Sequence, residues 1–211
     1  MRQLLVCATV LVALWSCHPE PDDYDLLDQM VVSTNYDTMV YIGGNPIGTY
    51  KTYALPTDTI GFVSNTDRND TIRTSPQYDL PRKVLQTVET NMNSLGYTRV
   101  AFNENPDIGV NVYAVKDLNL FQQVVYPNYY YSGYYGYGGY YYYPYVQTYA
   151  YNTGSLVVEF VDLKNAAANQ KYEVIWNAYM GDLFNAVNQL DQSIEAVNQA
   201  FDQSPYLKVQ Q

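Results

Sequence analysis

Histidine is almost missing from this chain. His18 is the single example, and only two cysteines, Cys7 and Cys17, accompany it. With so few of these groups there is no Ser/His/Asp or Cys/His arrangement for nucleophilic catalysis and no zinc site of the usual ligand types. Positive charge is scarce as well: 11 Lys and Arg stand against 21 Asp and Glu, for a net charge of -10 and a pI near 4.3. That field repels phosphate backbones, so nucleic acid is not expected as a partner. Residues 118–158 form a run of 41 without any Lys, Arg, Asp or Glu. The glycines inside it, at 133–139, neither follow a strand at the right spacing nor open a helix, and no phosphate-cradling loop results.

What the uncharged run holds is tyrosine. Of 25 tyrosines in the chain, fourteen lie within residues 126–151, YPNYYYSGYYGYGGYYYYPYVQTYAY. A buried Tyr removes about 150–250 Å² from water, and so many cannot all enter one core with every hydroxyl paired. Exposed together, they make an aromatic patch well above what a monomer normally tolerates. Such a patch suits stacking on sugar rings, peptidoglycan, another envelope protein or the membrane interface; the competing readings are passive low complexity and self-association. The candidate ligand contacts are Tyr129, Tyr130, Tyr131, Tyr134, Tyr135 and Tyr137, followed by Tyr140, Tyr141, Tyr142 and Tyr143.

The amino terminus sets the expected compartment. Arg2 precedes an eleven-residue apolar stretch at 4–14, too short to span a ~30 Å hydrocarbon core as a helix but suited to a signal peptide. It ends Leu14-Trp15-Ser16-Cys17, which is similar to the bacterial lipobox, with Trp15 an atypical occupant of the middle position. Residues 1–16 are therefore read as a lipoprotein signal peptide and Cys17 as the lipidated first residue of the mature chain. Three acyl chains exceed the two anchoring signals that stable membrane attachment needs. With Cys7 discarded and Cys17 lipidated, the mature monomer forms no disulfide. Residues 17–29 read as an acidic tether, similar also to signals that export some lipoproteins to the cell surface. The expected location is the outer membrane, lipid-anchored, on its periplasmic face or at the cell surface.

An apolar fraction of 47% over 211 residues fits one globular domain, expected at 30–207. Asp79-Leu80-Pro81 opens a predicted helix whose apolar face is Val84, Leu85, Val88, Met92 and Leu95, with Gly96 as its cap. A second helix carries Leu183, Val187, Leu190, Ile194, Val197 and Phe201 at spacings of four and three. Strand alternation marks residues 108–115, 156–161 and 172–178, with further strands expected at 49–54, 30–34 and 97–100. The fold class expected is α+β: a two-layer sandwich with a mostly antiparallel sheet, two helices on one face, and a long hairpin from about 107 to 162. Its far end, at about 126–151, is the Tyr/Gly-rich insertion; there Ser132-Gly133, Gly136 and Gly138-Gly139 break the alternation, and a loop or irregular extension is expected.

The order of blocks resembles a family of bacterial envelope lipoproteins known as domain of unknown function 4136. The residues that carry it are TYKTYALP (49–56), LGYTRV (95–100), NPDIGVNVY (105–113), GSLVVEFVDLKN (154–165), KYEVIWNAYMGDL (171–183) and a last helix ending FDQSP. YIGGNPIG (41–48) departs from the pattern by lengthening the approach to the first block. The resemblance implies an envelope location, an α+β fold and a familiar Tyr/Gly insertion; it implies no activity.

Residue chemistry adds little more. His18 stands beside Cys17, at the membrane surface and outside the domain, a poor place for a general base. Asp58, Asp67, Asp70, Asp162 and Asp182 fall at predicted element ends, where capping and turn formation account for them, although two carboxylates alone can hydrolyse a glycoside. Residues 64–71, SNTDRNDT, are dense in oxygen but lack the spacing and bidentate glutamate of an EF-hand. Trp176 is expected as a core anchor. No cofactor or metal is expected, and the chain is read as a non-enzymatic binding or adhesion module whose Tyr-rich loop meets glycan, peptidoglycan or protein. The alternative is an assembly lipoprotein that docks an envelope complex through its sheet or last helix.

Overall fold

The computed structural model describes residues 32–36, 47–63, 70–116, 141–143, 154–169, 171–181, 183 and 188–210. Along the chain come strands β1 (Val32–Tyr36), β2 (Thr52–Ala54), β3 (Thr59–Val63) and β4 (Asp70–Arg73), then helix α1 (Leu80–Ser94). β5 (Thr98–Arg99), β6 (Ile108–Val115), β7 (Tyr141–Tyr143) and β8 (Ser155–Asp162) follow. A short helix α2 (Ala166–Asn169), β9 (Lys171–Met180) and helix α3 (Gln189–Asp202) complete the order.

β6 and β8 form the middle of one sheet. They pair antiparallel from Ile108↔Asp162 to Val115↔Ser155, which is the base of the long hairpin expected between 107 and 162. Every residue of both strands is buried, as fits central strands covered on two faces. β9 continues the antiparallel run beside β8, and β1 lies against β9 with Val32 opposite Met180. The other flank is mixed. β2 runs parallel to β6 and β5, while β3 runs parallel to β6 further along and antiparallel to β4. The antiparallel expectation thus describes the centre, and short parallel strands complete the margin.

Both long helices lie on one face, as expected for the α+β class. Leu80, Pro81, Val84, Leu85, Val88 and Met92 bury the inner side of α1. Its end is closed by Gly96 at φ +94°, where Tyr97 N–H donates to Met92 O and Gly96 N–H to Asn93 O, each at 3.1 Å; this is the Schellman pattern that a left-handed glycine permits. The last helix departs from expectation. It spans only Gln189–Asp202 and buries Ser193, Ala196, Val197, Ala200 and Phe201, so the stripe from 183 to 201 is not one helical face. Leu183 is instead tied by its N–H to Gly154 O at 2.9 Å. Small side chains at 193, 196 and 200 let α3 lie close to its neighbours, and the rotation this needs leaves Ile194 half-buried.

Between helices and sheet sit Phe160, Trp176 and Phe201, with the two phenyl centroids 4.5 and 5.4 Å from that of Trp176. The indole Nε1–H donates to Ser204 Oγ at 3.1 Å, which satisfies the one polar group of the expected anchor. Tyr97 fastens the carboxyl-terminal turn: its hydroxyl donates to Leu207 O at 2.7 Å, and burial holds its ionisation well above the ordinary phenol range.

Candidate functional site

The Tyr/Gly insertion leaves from a well-tied base. Lys116 N–H donates to Val63 O at 2.8 Å, and Gly154 N–H to Val115 O at 3.1 Å. Gly154 has φ +95°, a turn that a side chain would strain. Lys116 and Gly154 therefore lie at the same end of the two central strands. Tyr129, Tyr130, Tyr131, Tyr134, Tyr135, Tyr137 and Tyr140 lie outside the described residues, as do Cys17, the signal peptide and the tether. Tyr141, Tyr142 and Tyr143 differ from the irregular tip expected at that point: they form β7, parallel to β9 with Tyr141↔Lys171 and Tyr143↔Glu173. β8 occupies one edge of β9, and β1 begins on the other only at Trp176. The start of β9 thus has an open edge, and a run of β-favouring tyrosines fills it.

The sheet face away from α1 and α3 is built differently from the face they cover. Asn111, Glu159, Asn177 and Asn35 stand directly opposite one another across β6, β8, β9 and β1, and alternation puts all four on that second face. The Tyr113 hydroxyl donates to Glu159 Oε1 at 2.8 Å. Further along the same face, Ser155 Oγ–H donates to the Tyr179 hydroxyl at 2.6 Å. Among the described residues, Tyr113, Tyr179, Val63, Val115 and Val157 make an apolar cluster on this face. None of the polar side chains in this group is without a partner. Composition and motif reading passed over Glu159. Its signal was a single carboxylate inside the otherwise apolar strand LVVEFV.

The carboxylates singled out from sequence hold the fold's own turns. Asp162 accepts the Tyr50 hydroxyl at 3.0 Å and, from Asn165, the backbone N–H at 2.9 Å and the side-chain amide at 2.7 Å. Burial first, and then the Asp162 charge, push the Tyr50 phenol far above its usual range. Lys164 Nζ sits 5.4 Å from the Tyr50 ring centroid and 3.9 Å from Asp107. Asp58 receives the neighbouring Thr59 hydroxyl and Asp70 the Thr71 N–H. Each of these three carboxylates thus accepts at least one hydrogen bond from a residue near it in the chain. Asp67, Asp182 and residues 64–69 of the oxygen-rich loop lie outside the described residues. Among the described residues no group of three or more His, Cys, Asp or Glu could hold a metal, and no helix is long and apolar enough to cross a membrane.

The sequence pattern of the family described as a domain of unknown function (DUF4136) matches residues 32–206, and the chain belongs to that family. It is similar to the crystal structure of a DUF4136 family protein from Bacteroides thetaiotaomicron VPI-5482, with 28% identity over 87% of this chain and 100% of that one and a TM-score of 0.63. Two PelC dodecamer structures from Paraburkholderia phytofirmans, one of them of a leucine-to-methionine variant, are covered fully by 87% of this chain, but at 11% and 10% identity and a TM-score of 0.39 they carry no argument. No functionally curated protein matches the chain in sequence.

Proposed function

We propose that this DUF4136 protein is a lipid-anchored, non-enzymatic binding module of the outer membrane. Cys17 is its anchor, and the Tyr-rich insertion contacts an envelope glycan, peptidoglycan or protein. The observation that carries the reading is the hairpin base: eight cross-strand pairs from Ile108↔Asp162 to Val115↔Ser155, buried on both faces, hold the two ends of an uncharged aromatic segment side by side. A fixed base limits the ordering that binding costs, and tyrosines supply stacking area with few rotatable bonds. The carboxylates at 58, 70 and 162, each engaged in a local turn, support a non-enzymatic role.

Removal of residues 128–143 tests this. The body with its insertion is expected to sediment with purified peptidoglycan sacculi or glycan beads, and the shortened body to lose that retention; equal retention by both refutes the insertion as the contact. Mass spectrometry of the native protein is expected to show an acylated Cys17 as first residue. Protease shaving of intact cells then separates surface display from the periplasmic face. A second reading, docking of an envelope complex, has its own observation in the half-buried Ile194, set among Asp191, Glu195 and Asn198 in a shallow hollow on the outer side of α3. Retention of a partner complex by the shortened body, and its loss in Ile194→Asp, is the outcome that favours it.

A further inference from the structure

We propose that Tyr36 and Tyr206 form an oxidative cross-linking site. There a one-electron oxidant joins the two phenol rings through a dityrosine bond and so ties β1 to the turn near the carboxyl end.

The two rings come from distant parts of the chain. Tyr36 is the last residue of β1, and Tyr206 lies in the short turn Pro205–Leu207 that follows α3. Their centroids stand 4.4 Å apart with the planes inclined at 41°, as close as aromatic rings pack. Each ring is also held by something other than this contact. β1 pairs with β9 over five residues, with Tyr36 opposite Trp176. The Tyr206 hydroxyl is 3.2 Å from Ser204 Oγ, which in turn accepts the Nε1–H of the same Trp176 at 3.1 Å. One buried indole thus stands behind both phenols. Orientation fixed by the fold removes much of the entropic cost of bringing two reacting rings together.

Burial decides which phenols an oxidant reaches. Tyr50, Tyr53 and Tyr97 are 1%, 0% and 3% exposed. Burial also holds their phenol protons, which opposes the proton loss that phenol oxidation requires. Tyr36 and Tyr206 pack against the same core but are only half-buried, so part of each side chain meets solvent.

The step balances with two equivalents of the oxidant. Each equivalent takes one electron from one phenol, whose hydroxyl proton passes to water, and leaves a phenoxyl radical with spin on the ring carbons ortho to the oxygen. An ortho carbon of Tyr36 then bonds to one of Tyr206. The ring hydrogens at the new bond move to the phenol oxygens, so both hydroxyls are restored and the net loss is two electrons and two protons. The link closes a covalent loop over most of the domain, which restricts the unfolded chain. Its use to the molecule rests on the anchor proposed above: the chain from Cys17 enters the domain at β1, and the bond passes a pull on that strand to the turn that Tyr97 fastens through Leu207 O.

The test is photo-oxidation of the purified full chain with tris(bipyridyl)ruthenium and persulfate, a small one-electron oxidant. Mass spectrometry is expected to find the peptide bearing Tyr36 joined to that bearing Tyr206 with the loss of two hydrogens, in a yield independent of protein concentration. Tyr36→Phe and Tyr206→Phe keep the ring packing, and each is expected to lower that yield at least tenfold. The oxidised parent chain is expected to unfold at a urea concentration about 1 M above that of oxidised Tyr36→Phe. Any of four results overturns the proposal: oxidation elsewhere without the Tyr36–Tyr206 pair, a joined pair that persists in the phenylalanine variants, a yield that rises with protein concentration and so reports links between copies, or equal urea midpoints. Lipidation is not read in this experiment, so failure of the cross-link leaves the anchor standing, and failure of the anchor leaves the cross-link standing.

Discussion

The two faces of the central sheet are both dry, but different forces keep them so. On the helix side Ile108, Val110, Val112, Leu156, Val158, Phe160 and Trp176 meet the inner faces of α1 and α3, and stability there comes from apolar area and close packing. On the other side the same strands present Asn111, Glu159 and Asn177, with Tyr113 bonded to the carboxylate. Such a row contributes little net energy when satisfied and costs a great deal when one partner is removed. An apolar face tolerates reshaping within limits of volume. A polar face specifies what covers it.

That contrast can be broken most severely on the apolar side. Trp176→Ala empties a site enclosed by Phe160 and Phe201 and frees Ser204; it is expected to cost about 3–5 kcal/mol in urea unfolding. On the polar side Glu159→Leu removes the acceptor of the Tyr113 hydroxyl and is expected to cost about 1–3 kcal/mol. Tyr113→Phe added to it should restore part of the loss, because no orphaned hydroxyl then remains. A double mutant no more stable than Glu159→Leu alone removes the hydrogen-bond account.

Alkali probes the helix-side core further, through phenols whose ionisation is raised there. Burial, aided by the Glu89 charge, pushes Tyr53 up to about 12, and Tyr50 and Tyr97 are raised too. The folded state holds these protons more tightly than the unfolded one. The Tyr53 contribution is therefore complete below pH about 10 and lost as the pH climbs through about 12. The urea midpoint is expected to fall across that window, and Tyr53→Phe to flatten the fall. The smallest effect lies at the surface: Arg82→Ala breaks an exposed contact with Asp79 at 3.5 Å and should change stability by under about 0.5 kcal/mol.

Legibility in the sequence follows the local signals. α1 is readable because Pro81, the apolar spacing and Gly96 agree on start, face and end, and the β6–β8 hairpin because two alternating runs frame the uncharged segment. β3 and β4 escape a reading of the sequence, for their short runs pair with each other and with a strand far along the chain, as in Gly61↔Tyr113. The face of α3 is misread at Ile194, because spacing alone cannot tell a large side chain that fills a core from small ones that allow close approach. For the candidate site, the insertion stands out by composition, whereas the Glu159 row does not: Asn35, Asn111, Glu159 and Asn177 are scattered along the chain and become neighbours only through strand pairing.

Local pattern was enough for the α+β class, the capped first helix, the hairpin base and the segment of phenols. Those depend on alternation, spacing and composition over a few neighbouring residues. Three features needed the folded chain: short parallel strands complete the sheet, three of the tyrosines return to its edge, and asparagines and one glutamate from four strands form a single row. Each depends on which strand lies beside which, and hydrogen-bond register between distant segments leaves no mark in any one of them.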